Sequence, residues 1–130
     1  MKYLLDTHTW IWWNASSSKL SKKVKGLLEN EESFYLSDIS VWEFCKLVEM
    51  GRYKISTGAL TWVNKALESQ KISLVRVSPE ISFQSTTLPL PFHSDPADRM
   101  IVATAMVIGA TLLTKDTKIL KYSSIKALWK

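Results

Sequence analysis

The 130-residue chain has one cysteine, two histidines, four glycines and four prolines, and its 12 acidic residues are outnumbered by 17 lysines and arginines. Each scarcity excludes something. Cys45 alone provides neither a disulfide framework nor a thiolate zinc site, which fits a reducing compartment. Few glycines and prolines, with 46% apolar and 22% charged residues, exclude collagen-like, low-complexity and disordered chains. No apolar run reaches the roughly 18 to 20 residues of a membrane span; the stretch Met100 to Leu113 is broken by Thr and Gly. Met1-Lys2-Tyr3-Leu4-Leu5-Asp6 puts an acid where an export signal has its apolar core, so a cytoplasmic location and no membrane partner are expected. The length suits a single domain spanning residues 1–130. The excess of positive charge, net +5 with a pI near 9.4, points to a polyanionic partner.

Short apolar runs alternate with amphipathic ones. Strands are predicted at Tyr3–Leu5, Ser33–Leu36, Ile72–Val77, Thr111–Thr114 and Ile125–Trp129. Helices are predicted over Thr7–Trp13, Ser21–Glu32, Ile39–Met50, Thr57–Gln70, Ser78–Thr87, Pro96–Ile108 and Thr117–Tyr122, with Gly51 and Gly109 as stops. Pro89-Leu90-Pro91 forbids a regular element and makes a loop carrying His93. This order implies an α/β fold of three layers, a central parallel sheet of about five strands with helices on both faces. In such sheets ligands bind beyond the carboxyl ends of the strands, where the strand order reverses.

Five acids, Asp6, Glu43, Asp95, Asp98 and Asp116, stand where apolar runs begin or end. Each has a purely structural explanation. Ser40 with Glu43 spells a capping box, Asp95-Pro96-Ala97-Asp98 spells a helix start, and Asp6 and Asp116 are positioned to cap the helices that follow them. Taken together they have another. If the first and fourth strands are neighbours, Asp6, Glu43, Asp98 and Asp116 surround one crevice. Two carboxylates about 4 Å apart repel by roughly 4 kcal/mol at an effective dielectric of about 20, so four need protons or a cation. Hard oxygen donors without thiolates select Mg²⁺ or Mn²⁺, which suit phosphoryl oxygens and activate water.

At these residues the sequence resembles the PIN-domain (PilT N-terminus) family, and within it the VapC-type toxins of bacterial toxin-antitoxin pairs. The resemblance rests on Leu4-Leu5-Asp6-Thr7-His8-Thr9-Trp10, Ser37-Asp38-Ile39-Ser40-Val41-Trp42-Glu43-Phe44, His93-Ser94-Asp95-Pro96-Ala97-Asp98-Arg99-Met100-Ile101-Val102-Ala103-Thr104-Ala105 and Leu113-Thr114-Lys115-Asp116. It implies a PIN-like fold and an acidic quartet, Asp6, Glu43, Asp98 and Asp116, that binds Mg²⁺ or Mn²⁺ and cleaves RNA internally, leaving a 5′-phosphate and a 3′-hydroxyl. It further implies Asp95 and Thr114 as auxiliaries, and Arg99 as a phosphate contact or the partner of an acid. The implied partners are the RNA substrate, a VapB-like antitoxin and a second copy of the chain.

His8 and His93 are expected in polar loop roles, because the quartet requires no histidine. Of the six tryptophans, Trp42 and Trp129 are the best core candidates, whereas Trp10, Trp12 and Trp13 are too many for one short helix to bury together. Two rival functions remain. A PIN-like module that binds RNA or protein without cleaving it would be expected to have lost an acid, and all four are present. A phosphoacceptor receiver domain would carry paired acids after its first strand, which this chain lacks.

Overall fold

Three consecutive apolar residues, Tyr3, Leu4 and Leu5, make the central strand, and their alternation separates the two halves of the core. In the computed structural model, which describes residues 1–69 and 71–130, β1 (Tyr3–Leu5) is followed by α1 (Thr7–Asn14), α2 (Lys22–Asn30), β2 (Phe34–Ser37), α3 (Asp38–Glu49) and α4 (Ala59–Ser69). The chain continues through β3 (Ile72–Val75), α5 (Pro79–Thr86), α6 (Pro96–Ile108), β4 (Thr111–Leu113), α7 (Thr117–Leu120) and β5 (Ala127–Leu128).

The five strands form one parallel sheet in the order β3-β2-β1-β4-β5, as the alternation of elements predicts. The path runs outward from β1 through β2 to β3, then returns to the other side of β1 for β4. Strand order therefore reverses between β1 and β4, where Leu4 pairs with Leu112 and Leu5 with Leu113.

Below one face of the sheet, Tyr3, Leu5, Phe34, Leu36 and Leu113 pack with Trp10 and Ile11 of α1, Val24 and Leu28 of α2, Phe44 of α3 and Val63 of α4. On the other face, Leu4 and Leu112 meet Ile101, Val102 and Ala105 of α6, Ile119 of α7 and Tyr122. Sheet and helices thus form the three layers expected. Helix α6 ends at Gly109, whose φ of 65° is left-handed backbone that a side chain would resist.

Several elements differ from expectation for identifiable reasons. Strand β3 stops at Val75 rather than Val77, because the Val77 N–H leaves the ladder to donate to Asp38 Oδ1 at 3.1 Å. Strand β5 is reduced to Ala127–Leu128, an abbreviated sheet edge. Gln70, expected to end the fourth helix, lies outside the described residues. The Ser40–Glu43 capping box does not form. Helix α3 starts straight from β2, so Ser37 is the cap, accepting from the Ile39 N–H at 3.2 Å, and Ser40 is buried within the helix. Trp42 is not in the core but 56% exposed, whereas Trp129 is buried as expected and Trp10 is fully buried. Trp10 meets Phe44 and Trp62 edge-on, with those two rings stacked 4.1 Å apart. Trp13 goes to Phe34 and Trp12 to Trp129, so α1 distributes its three indoles in different directions.

Candidate active site

The carboxyl edge of β1 and β4 carries the acids. Asp6 follows β1 directly and caps α1, its Oδ1 accepting from the Thr7 N–H at 2.8 Å. Its other oxygen accepts from the Thr114 hydroxyl at 2.6 Å, and the same hydroxyl accepts from the Asp116 N–H at 3.0 Å. Asp116 in turn caps α7 through the Lys118 and Ile119 N–H groups. Asp95 caps α6 by accepting from the Asp98 N–H at 2.9 Å. The capping roles and the gathering of the acids are therefore compatible: three caps fix the carboxylates at the edge of the sheet.

All five acids line one cavity of about 740 Å³, together with His8, Trp12, His93, Lys115 and Lys118. Glu43 reaches it from the second turn of α3. The Thr7 hydroxyl donates to Ser40 at 2.8 Å, tying the start of α1 to α3. The crowding has an electrostatic cost. Burial pushes Asp6 up, partly offset by its hydrogen bonds from Thr114 and Thr7. Burial also raises Glu43, and the charges of Asp6 and Asp95 add to it. Asp98 is pushed up to about 7, first by burial and then by the surrounding carboxylates of Asp6, Asp95, Asp116 and Glu43.

The donor chemistry fits a hard divalent cation: carboxylate oxygens, crowded enough that one acid struggles to ionise. Among the described residues no three His, Cys, Asp or Glu side chains stand close enough to hold one ion between them. A cation in this cavity would take one or two carboxylates directly and complete its shell with water and substrate oxygens, the habit of Mg²⁺.

Among the described residues Arg99 has no acid partner. Its guanidinium donates to three backbone carbonyls, Ser85 at 2.8 Å, Phe92 at 3.0 Å and His93 at 3.3 Å, and so ties the loop before α6 to α5 and α6. That loop holds His93 with Nε2 3.2 Å from Asp98 Oδ2, a close approach without hydrogen-bond alignment. His93 is thus a loop residue as expected, but one at the acids, and His8 lies in α1 rather than in a loop. Sequence reasoning missed Trp12, Lys115 and Lys118 as lining residues. Trp12 has the ammonium groups of Lys19 and Lys115 within 5.6 and 5.8 Å of its ring. Position offered the signal for Lys115, which sits between Thr114 and Asp116.

Comparison with known proteins bears on the family and the fold. A family described as PIN domain matches residues 3–124. The chain is 33% identical over 116 residues to Ribonuclease VapC22 of Mycobacterium tuberculosis, a match covering 89% of this chain and 88% of that protein. Its fold is similar to VapBC2 from Rickettsia felis bound to a promoter DNA fragment, with a TM-score of 0.70 and 17% identity over 100% of both chains. It is also similar to DNA-bound VapBC from Salmonella typhimurium, with a TM-score of 0.71 and 17% identity over 98% of this chain and 97% of that one. At such identities the two structures speak to the fold alone. The family match, the relative in sequence and the acid-lined edge between β1 and β4 all lead to one placement: the chain belongs to the PIN domain family.

Proposed function

We propose that the chain is an endoribonuclease dependent on Mg²⁺ or Mn²⁺, acting as a VapC-type toxin on cellular RNA and neutralised by a VapB-like antitoxin. The observation that carries this reading is the gathering of Asp6, Glu43, Asp98 and Asp116 around one cavity that also presents Lys115 and Lys118. The ribonuclease name of the relative and the toxin-antitoxin assemblies among the fold neighbours support it. The cation would be held among the four acids, one or two of them bonded to it directly, with Asp95 and Thr114 as auxiliaries. When bound, the cation would polarise the scissile phosphate and lower the pKa of a bound water. Lys115 and Lys118 neutralise the RNA backbone where it crosses the acidic cavity. Thr114 fixes the rotation of the Asp6 carboxylate, so that its geometry is set before substrate arrives.

Withdrawing the four acids from the general surface leaves eight negative charges against seventeen positive ones, the balance expected of an RNA-binding exterior around an acidic centre. The purified chain should cut RNA with Mg²⁺ or Mn²⁺ and stop in EDTA, and Asp6→Asn should abolish cutting while keeping its circular dichroism spectrum. Undiminished cutting by that variant overturns the site. Co-purification with an upstream-encoded small protein, and sedimentation of the chain alone, test the antitoxin and a homodimer.

A second reading, a PIN-like module that binds RNA or protein without chemistry, draws on the absence among the described residues of any three side chains poised around one ion. RNA binding indifferent to metal, with no cleavage, would favour it.

A further inference from the structure

Beside the acid-lined cavity lies a smaller one of about 320 Å³, lined by Pro91, Phe92, His93, Lys118, Lys121 and Tyr122. His93 and Lys118 belong to both, so the two are adjacent. Across that boundary the sign of charge reverses: the smaller cavity has no acid in its lining. Lys118 and Lys121 are three residues apart, on α7 and at its end, which places them on one face. Both are exposed, and among the described residues neither has an ion-pair partner.

The rest of the lining, Pro91 and three rings, is held in place. The Phe92 ring lies 4.3 Å from the His93 ring and 5.1 Å from that of Tyr122. The Tyr122 hydroxyl accepts from the Leu90 N–H at 3.1 Å and donates to the Leu90 carbonyl at 3.0 Å. Arg99 holds the Phe92 and His93 carbonyls from the other direction. A surface fixed in this way loses little conformational freedom when a ligand arrives.

Single-stranded nucleic acid repeats a phosphate and a flat apolar base, and its recognition combines cations with rings on which bases pack. We propose that this second cavity is the subsite for a nucleotide flanking the scissile bond, with Lys118 and Lys121 on its phosphate and Pro91 and Phe92 against its base. The inference rests on RNA being the substrate of the acidic cavity.

The test is binding of a labelled single-stranded RNA to the whole chain in EDTA, followed by fluorescence anisotropy across a salt series. Lys121→Ala should weaken binding and reduce the slope of log K against log salt by about 0.7, the loss of one phosphate contact. Phe92→Ala should weaken binding about fivefold or more with the slope unchanged. Lys22→Ala, on the exposed face of α2, serves as the control and should leave both unchanged. In the wild type, adding one nucleotide at one end of a minimal substrate should raise affinity, and Lys121→Ala should erase that gain. If the wild type binds no RNA, the proposed substrate fails and the subsite with it. If it binds RNA but Lys121→Ala keeps the full slope, or Lys22→Ala loses as much, the subsite alone is overturned.

Discussion

Thr114 and Asp6 are 108 residues apart in sequence, yet the threonine hydroxyl lies 2.6 Å from the aspartate Oδ2 and both groups are buried. The hydroxyl donates to one acid and accepts from the backbone of another, so it couples the ends of β1 and β4. Thr114→Val keeps the shape and removes both bonds, leaving a buried carboxylate oxygen and an N–H without those partners. A loss of about 1–3 kcal/mol is expected in urea denaturation, with a fall in RNA cleavage, and Thr114→Ser should recover most of both.

The pH dependence of the metal-free protein follows from Asp98. Its folded value is raised from 3.8 to about 7, so the stability associated with its protonated form is full below the unfolded value and is lost as pH rises through about 7. In EDTA, Asp98→Asn should therefore melt higher than the wild type at pH 8, with the difference shrinking toward pH 4. Thermal melts at four or five pH values check this. The same variant should lose metal-dependent cleavage, the exchange of function for stability common at crowded sites.

Arg99 presents a planar fork to carbonyls from two segments. A lysine has the charge without the fork, so Arg99→Lys should rescue little of what Arg99→Ala loses. Hydrogen exchange should report faster opening of residues 87–95 in both variants, with a stability loss of about 1–3 kcal/mol in Arg99→Ala.

Two tryptophans provide a contrast in packing. Trp10→Ala removes a fully buried ring that meets both Phe44 and Trp62 edge-on and should cost about 3–5 kcal/mol. Trp42→Ala removes a ring that is 56% exposed and should change stability by about 0.5 kcal/mol or less. Denaturant midpoints of the two variants separate them.

Local chemistry made the acids legible: Asp6 and Asp116 follow short apolar runs, and Asp95-Pro96 announces a helix start. Their meeting depends on β1 lying beside β4, which no local pattern encodes; the sequence could pose it only as a condition. Trp42 lies in the same helix as the buried Phe44, but a place in a helix does not say how far the neighbouring layer extends over α3. The capping box was misread because Ser37 serves both as the last residue of β2 and as the cap, leaving no loop for Ser40 to end. The partners of Arg99 were hidden for a different reason. Its targets are backbone carbonyls, which every residue carries and no sequence motif marks.

The reversal of strand order between β1 and β4 also sets when the centre comes into being. A chain emerging from the ribosome with everything through α5 has Asp6 and Glu43, but not Asp98, Asp116 or the Leu113 carbonyl that receives the Asp6 N–H at 3.1 Å. Beside β1 there is then an open edge rather than an acid-lined cavity. Domains fold as units as synthesis proceeds, and here the two halves can join only once α6 and β4 have been made. For a protein proposed to cut RNA, that timing keeps the unfinished chain harmless while it is still attached to the RNA-rich machine making it.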